Sequence, residues 1–358
     1  MFQTDINKQS IIIEGMTYTQ SDVLSVIRNE DSKEWSDFHL ELFHFLEDWF
    51  APSEEITIHT SGSTGKPKSM LVKKKLMMQS ACITCEYLQL KPKDKILLCM
   101  ALNFIAGKMM VVRALVAGLD IYPVAPSGHP LVDINQEFHF ASMVPLQIFN
   151  SLQVPKEADR LRNIGNLLIG GGSINPSLEK ELKDFPNPVY ASYGMAETLS
   201  HIALRMVNGP NASLDFTPLP SVSLSLSEEG ALVIDAPLVS EKRLFINDIA
   251  EINSDGSFRV LGRKDNVIVT GGLKIQTETL EEKLSEYIQV PFAISSLPDP
   301  KFGEIIVLVI EQPIDPSIFT KQLPSYQIPK KIIRINSIPR TESGKINRAK
   351  LKSLLKTL

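Results

Sequence analysis

The chain has 358 residues, 43% of them hydrophobic and 22% charged, with a formal net charge of −4. That length allows two domains and a sizeable core, and the composition is ordinary for a globular protein. The slight acidity gives no electrostatic reason to expect a nucleic-acid partner.

Met1-Phe2-Gln3-Thr4-Asp5 shows no basic and then apolar leader, and apolar runs such as Ile305 to Ile310 are too short to span a bilayer. A cytoplasmic protein without membrane insertion is expected. Residues 1 to about 50 read as helical and partly amphipathic, with Phe38, Leu42, Phe45, Leu46 and Trp49 at helical spacing as core. Glu55 to Ile58 alternates like a short strand. It leads into His59-Thr60-Ser61-Gly62-Ser63-Thr64-Gly65-Lys66-Pro67-Lys68. Glycines let backbone N–H groups approach an anion, hydroxyls add donors, and lysines add charge, so the stretch reads as a phosphate cradle. It lacks Walker A spacing, and taken alone it also reads as a polar surface turn.

Lys73-Lys74-Lys75 opens a helix from roughly Lys74 to Tyr87 as a solvated start. Within it, Cys82-Ile83-Thr84-Cys85 has the C-x-x-C spacing. No second Cys or His pair lies nearby to complete a zinc site, and three cysteines argue against a disulfide framework, so both read as buried helix thiols. Lys95 to Met100 predicts a buried strand, and Ala106 to Ala117 an apolar helix carrying Lys108 and Arg113. A charge there is costly without a partner, which points to a ligand or to an internal acid. Asn166 to Ile169 predicts a strand ending at Gly170-Gly171-Gly172, and Pro188 to Ser192 another ending at Tyr193-Gly194-Met195-Ala196-Glu197-Thr198. Strands alternating with helices indicate an α/β domain with functional groups at strand ends. Gly230 to Ile234 and Leu244 to Ile252 read as antiparallel β structure around an Asp255-Gly256 turn. After Gly262-Arg263-Lys264-Asp265 the pattern becomes that of a compact α+β unit, giving domains 1–264 and 265–358. His201 has no metal partner in sequence and reads as structural.

Four stretches occur in order: the phosphate loop, Tyr193 to Thr198, Gly262 to Asp265, and Pro339-Arg340-Thr341-Glu342-Ser343-Gly344-Lys345. Together they resemble the core motifs of adenylate-forming enzymes: acyl-CoA synthetases, nonribosomal adenylation domains and luciferases. The resemblance runs from about Glu54 to the C-terminus. It implies a large N-terminal α/β domain, trimmed at its start relative to the family, with a small mobile C-terminal α+β domain. Ser192 to Ser200, and Phe104-Ile105-Ala106-Gly107 with Arg113, are most similar to the o-succinylbenzoate–CoA ligases of menaquinone biosynthesis. There an S-Y-G-M-T-E-T-x-S run and an H-I-S-G-x5-R run stand in those places. Phe104 departs from the family's histidine.

The resemblance implies ATP, Mg²⁺ and CoA as reactants, a small carboxylate as substrate, and an acyl-adenylate between them. It places Thr60, Ser61, Gly62, Ser63, Thr64, Gly65, Lys66 and Lys68 around the phosphates, and Glu197 with Thr64 on Mg²⁺. Thr198 would meet the α-phosphate, Tyr193 the adenine beside Gly171 and Gly172, and Asp248 with Arg263 the ribose. Lys345 would bridge carboxylate and α-phosphate. Asp265 would be the hinge whose turn brings Gly271-Gly272-Leu273 to the site for CoA. Phe104, Lys108, Arg113, Gly194, Met195 and Ser200 would meet the acid. Taken singly, Glu197 reads equally as a helix N-terminal charge, Asp248 as a turn cap and Lys345 as a solvated lysine. Another aryl or short-chain acid, and a non-catalytic nucleotide-binding module, stay open, as does a homodimer.

Overall fold

The computed structural model describes residues 2–28, 35–60, 68–341 and 346–357. The chain divides into two compact units, the first from residues 1–174, 181–223 and 235–243, the second from residues 175–180, 224–234 and 244–358.

The first unit begins with a correction. Residues 11–18, expected to be helical, are not: after a 3-10 turn at Ile6–Lys8, β1 (Ile11–Ile13) and β2 (Met16–Tyr18) form an antiparallel hairpin before α1 (Gln20–Arg28) and α2 (Asp37–Phe50). Three successive isoleucines favour an extended backbone. Glu14 and Gly15, at φ 51° and 81°, form the two-residue turn that matches strand twist. The hairpin β3 (Glu55–Thr60) and β4 (Lys68–Lys73) follows, then α3 (Lys74–Tyr87), β5 (Lys95–Leu98), α4 (Ile105–Ala117) and β6 (Asp120–Pro123). Next come β7 (Phe140–Met143), α5 (Pro145–Leu152), α6 (Pro155–Arg162), β8 (Asn166–Ile169), α7 (Pro176–Leu182, most of which clusters with the second unit), β9 (Val189–Gly194), β10 (His201–Met206) and β11 (Thr217–Pro218).

A nine-stranded sheet runs in the order β11, β10, β9, β8, β7, β5, β6, β1, β2. Its neighbours from β9 to β1 pair in parallel, and β2, β10 and β11 close the edges antiparallel. The α/β architecture expected from the alternating pattern is present. Met109 to Ala117 of α4 are all buried, as a helix apolar on every side must be. It stops at Gly118, which takes the left-handed conformation that Cβ-bearing residues resist. On α2 the indole of Trp49 donates to Gln9 Oε1 at 2.8 Å, so the ring is buried without an orphaned N–H.

In the second unit, β12 (Ser223–Leu226), β13 (Ala231–Asp235), β14 (Leu244–Ile252) and β15 (Phe258–Arg263) form one antiparallel sheet, with the Asp255-Gly256 turn between the last two. It clusters with the second unit, ahead of the residue 264/265 boundary read from the sequence. The remaining elements are β16 (Val267–Thr270), β17 (Leu273–Gln276), α8 (Thr277–Ser285), β18 (Phe292–Asp299), β19 (Gly303–Ile310), α9 (Ser317–Thr320), β20 (Lys331–Arg334) and α10 (Arg348–Leu355). Strand β19 is buried on both faces. Ile306, Leu308 and Ile310 pack with Leu280 and Leu284 of α8, while Val307 and Val309 pack with Leu351 and Leu355 of α10. The period of two makes this small sheet the middle layer of a helix–sheet–helix sandwich.

Candidate active site

The parallel strands all direct their carboxyl ends to one edge of the large sheet. The chain passes from β5 to β6 on one side, then returns past β5 to β7, β8 and β9 on the other. Open α/β sheets bind ligands at such a reversal. The segments that leave this edge carry Phe104 after β5, Gly170 to Gly172 after β8, and Tyr193 to Ser200 around the end of β9. Local fit explains two of the glycines. A Cβ on Gly107 would lie 2.5 Å from Ala101 O, so α4 can press against the loop after β5 only without a side chain there. Gly171 stands at φ +76°, beside Val144.

The loop after β9 is held by its own backbone. A Cβ on Gly194 would fall 2.3 Å from Ser200 O, because the chain crosses back over itself there. The Thr198 hydroxyl accepts from Met195 N–H at 3.0 Å and reaches Ser200 O at 2.7 Å and Met195 O at 3.0 Å. Leu199, buried, takes φ +63°, a strained value for a branched residue. Thr198, which the resemblance sends to the α-phosphate, is fully buried here with its hydroxyl committed to the loop. In this conformation it steadies its neighbours: Glu197, exposed, and Ser200, half-buried. The Tyr193 ring leans on Phe216 with centroids 5.8 Å apart.

Arg113 on α4 is 2% exposed. Its Nη2 donates to Ser200 Oγ at 2.6 Å, its guanidinium lies over the Phe140 ring, and its buried Nε–H has no hydrogen-bond partner among the described residues. Burial pushes its pKa down to about 10. The structure thus brings together Arg113 and Ser200, 87 residues apart in sequence. Lys108 does not join them. Five residues along a helix turn a side chain well away from its starting face, and Lys108 Nζ lies over the Phe45 ring at 5.1 Å and 3.4 Å from Thr57 O.

In the second unit, Asp248 and Arg263 face each other across β14 and β15, with Nη1 3.2 Å from Oδ1. Nη2 of Arg263 bonds Asp265 at 3.0 Å, and Asn247 Nδ2 donates to both Asp265 oxygens at 3.1 Å. Burial works against the Arg263 cation, but Asp265 and Asp248 raise its pKa above the usual value. Asn247 has no signal of its own in the sequence, and its place beside Asp265 emerges only from the fold. Gly271 and Gly272, at φ +56° and +82°, form the tight turn between β16 and β17. Ser61, Gly62, Ser63, Thr64, Gly65, Lys66 and Lys345 lie outside the described residues. Thr60 and Lys68 pair where β3 ends and β4 begins, so the phosphate-loop stretch joins the two arms of that hairpin.

The cysteine pair sits on α3, and burial raises Cys82 to about 11 and Cys85 to about 12. Such thiols stay protonated at neutral pH and are poor nucleophiles.

A family described as "AMP-binding enzyme" matches residues 14–240. The 2-succinylbenzoate–CoA ligase of Listeria monocytogenes serovar 1/2a is 27% identical over 351 residues, spanning 86% of this chain and 71% of that protein. Among solved structures, an acyl-CoA synthetase (AMP-forming)/AMP-acid ligase II-like protein from Dyadobacter fermentans is 30% identical, with TM-score 0.63 over 91% of this chain and 97% of that one. The o-succinylbenzoate CoA synthetase of Bacillus subtilis, in complex with the acyl-adenylate intermediate OSB-AMP, shares the fold at TM-score 0.74 and 19% identity, over 98% of this chain and 96% of that one.

Proposed function

Because the chain belongs to the family of AMP-binding enzymes, we propose that it is an ATP-dependent acid–CoA ligase that makes o-succinylbenzoyl-CoA through an acyl-adenylate, a step of menaquinone biosynthesis. The likeness to proteins named 2-succinylbenzoate–CoA ligase supports the choice of acid. A carboxylate is a poor electrophile because its leaving group would be oxide. Attack of a carboxylate oxygen on the α-phosphorus of ATP expels pyrophosphate and gives an acyl-adenylate. A thiolate of CoA then adds at the acyl carbon and AMP departs, so both steps balance without an oxidant or reductant.

The observation that carries this reading is Arg113. A guanidinium buried to 2% exposure is costly unless something compensates it, and its partners among the described residues are a hydroxyl, a thioether and the Phe140 ring, none of them an anion. o-Succinylbenzoate has two carboxylates. One becomes the adenylate, and the other would pair with Arg113 in a charge-assisted bond. Asp248 and Arg263 would take the ribose, Thr60 to Lys68 the β- and γ-phosphates, Tyr193 the adenine, and Lys345 the charge that develops in the first step only. Asp265, tied to Arg263 and Asn247, would be the hinge. Glu197, an exposed carboxylate with hard oxygen donors, fits Mg²⁺, and Thr64 would share the ion as the family resemblance implies. When bound, that ion would offset phosphate charge. A reaction drawing on ATP and CoA suits the cytoplasm, and a homodimer is not needed for the chemistry.

The test is a coupled assay of pyrophosphate release and thioester formation with o-succinylbenzoate, benzoate and acetate. Strong preference for o-succinylbenzoate, with thioester dependent on CoA, is the expected result. Turnover of a different acid would keep the mechanism and move the substrate, an outcome favoured by Phe104, whose ring at the start of α4 replaces the family's histidine. ATP binding with no turnover of any acid would overturn the reading.

A further inference from the structure

Behind Ser200 a line of hydrogen bonds runs into the core of the first unit. Arg113 Nη2 donates to Ser200 Oγ at 2.6 Å, and Ser200 Oγ lies 3.3 Å from His201 Nδ1. On the far side of the ring, His201 Nε2 lies 3.1 Å from Thr84 Oγ1, which lies 3.1 Å from Ser80 O, one turn back along α3. Arg113, His201, Thr84 and Ser80 are all buried, and Ser200 is half-buried.

The direction of this line follows from its two ends. A guanidinium can only donate and a carbonyl can only accept. If Ser200, accepting from Arg113, donates a hydrogen bond to Nδ1, then Nε2 carries the ring proton, donates to Thr84, and leaves the Thr84 hydroxyl free to donate to Ser80 O. Every contact is then made. With the proton on Nδ1 instead, Ser200 receives two donors, its own proton has no acceptor on the line, and Thr84 must turn from Ser80 O to Nε2. One bond is lost. Burial, then the nearby Arg113, hold the His201 pKa well below the usual value, which keeps the Nδ1 lone pair available.

We propose that His201, as the Nε2–H tautomer, is a positioning residue for the acid substrate. It fixes the Ser200 hydroxyl as the acceptor for Arg113 Nη2, which holds the guanidinium in one orientation for the substrate's second carboxylate. The inference rests on the proposed acid site. It assigns His201 a role that its sequence context, with no metal partner, does not reveal.

Two measurements on the full chain test it. Nitrogen-15 NMR of histidine-labelled protein, with the resonance assigned by its loss in His201→Asn, should show Nε2–H and a neutral ring at pH 6. An Nδ1–H tautomer or an imidazolium would overturn the proposal. Steady-state kinetics should show that His201→Phe raises KM for the acid by roughly five- to tenfold, the scale of one lost neutral hydrogen bond, while KM for ATP stays constant. His201→Asn, whose Oδ1 can replace Nδ1, should recover most of that loss. His201→Gln, which reaches Thr84 rather than Ser200, should recover less, and the Asn–Gln contrast decides the matter if the Phe variant does not fold. Equal losses for acid and ATP, or no difference between Asn and Gln, would overturn it. The tautomer measurement needs no substrate, so it decides the proposal even if wild-type protein turns over no o-succinylbenzoate, a result that would instead refute the acid.

Discussion

Replacing Arg113 by Met separates a ligand-binding cation from a structural one. Burial lowers the guanidinium from its usual range to about 10. At 1.36 kcal/mol per pKa unit, that is about 3 kcal/mol of destabilisation carried by the ligand-free fold. A cation whose folded pKa is depressed destabilises at every pH below that pKa, where it is charged folded and unfolded, so the penalty is present in full at neutral pH. Methionine fills a similar volume, carries no charge and keeps the packing against Phe140. The bond to Ser200 is lost, at about 1–2 kcal/mol. The balance predicts that Arg113→Met is at least as stable as the parent without ligand, by about 1–2 kcal/mol, or a rise of roughly 2–6 °C in Tm. Its kcat/KM for o-succinylbenzoate should fall by about 30- to 150-fold, the worth of a desolvated charge-assisted bond of ~2–3 kcal/mol. KM for ATP should not move. Differential scanning fluorimetry and initial-rate assays give both numbers on one preparation. A Tm lowered by several degrees, with ATP and acid kinetics damaged alike, would show that Arg113 supports the fold and would refute the reasoning.

Lys345→Ala should cut pyrophosphate release sharply while leaving thioester formation from supplied acyl-adenylate nearly intact; equal loss in both half-reactions would contradict a first-step role. Gly194→Ala places a Cβ 2.3 Å from Ser200 O; the backbone crossing must open, so acid kinetics should collapse, with a loss of about 1–3 kcal/mol in denaturant titration. Cys85 and Cys99, both raised to about 12 by burial, should resist iodoacetamide at pH 8 in the folded protein and react only on unfolding, as a mass measurement would show.

How much of this was legible in the sequence depends on the range of the signal. Strand β8 with its glycines, helix α3 and the Asp255-Gly256 turn were readable because periodicity and turn chemistry are local. The opening residues read as helical although Ile11 to Ile13 and the Glu14-Gly15 turn form a local hairpin with β2; only the pairing of β1 with β6, more than a hundred residues on, lies outside any local window. Site residues divide the same way. Glu197 and Gly194 stand in one contiguous motif, and the fold brings Asp248 and Arg263 together as register neighbours. Lys108 and Arg113 look alike in sequence, two cations on one apolar helix, yet only Arg113 meets Ser200. The helical angle between them decides this, together with what packs on each face. Asn247 and His201 carried no local signal, since each acquires its role from a partner supplied by the tertiary fold.

The contrast between Arg113 and Arg348 explains why burial alone does not identify a site. Arg348, on α10, is also largely withdrawn from solvent, but Glu281 takes it through two bonds, 2.6 and 3.1 Å long, and Glu278 stands 3.7 Å away. Its pKa is raised despite burial, because those carboxylates stabilise the charge. Removing Glu281 would strand a cation that the fold has already paired, the situation in which a buried charge costs most. Arg113 has the opposite sign of shift, and its pairing is left to Ser200 and Met110. A chain does not gain stability from a cation left in that state. On the proposed reading, the compensation would come from the substrate, an anion that binds at the carboxyl edge of the sheet.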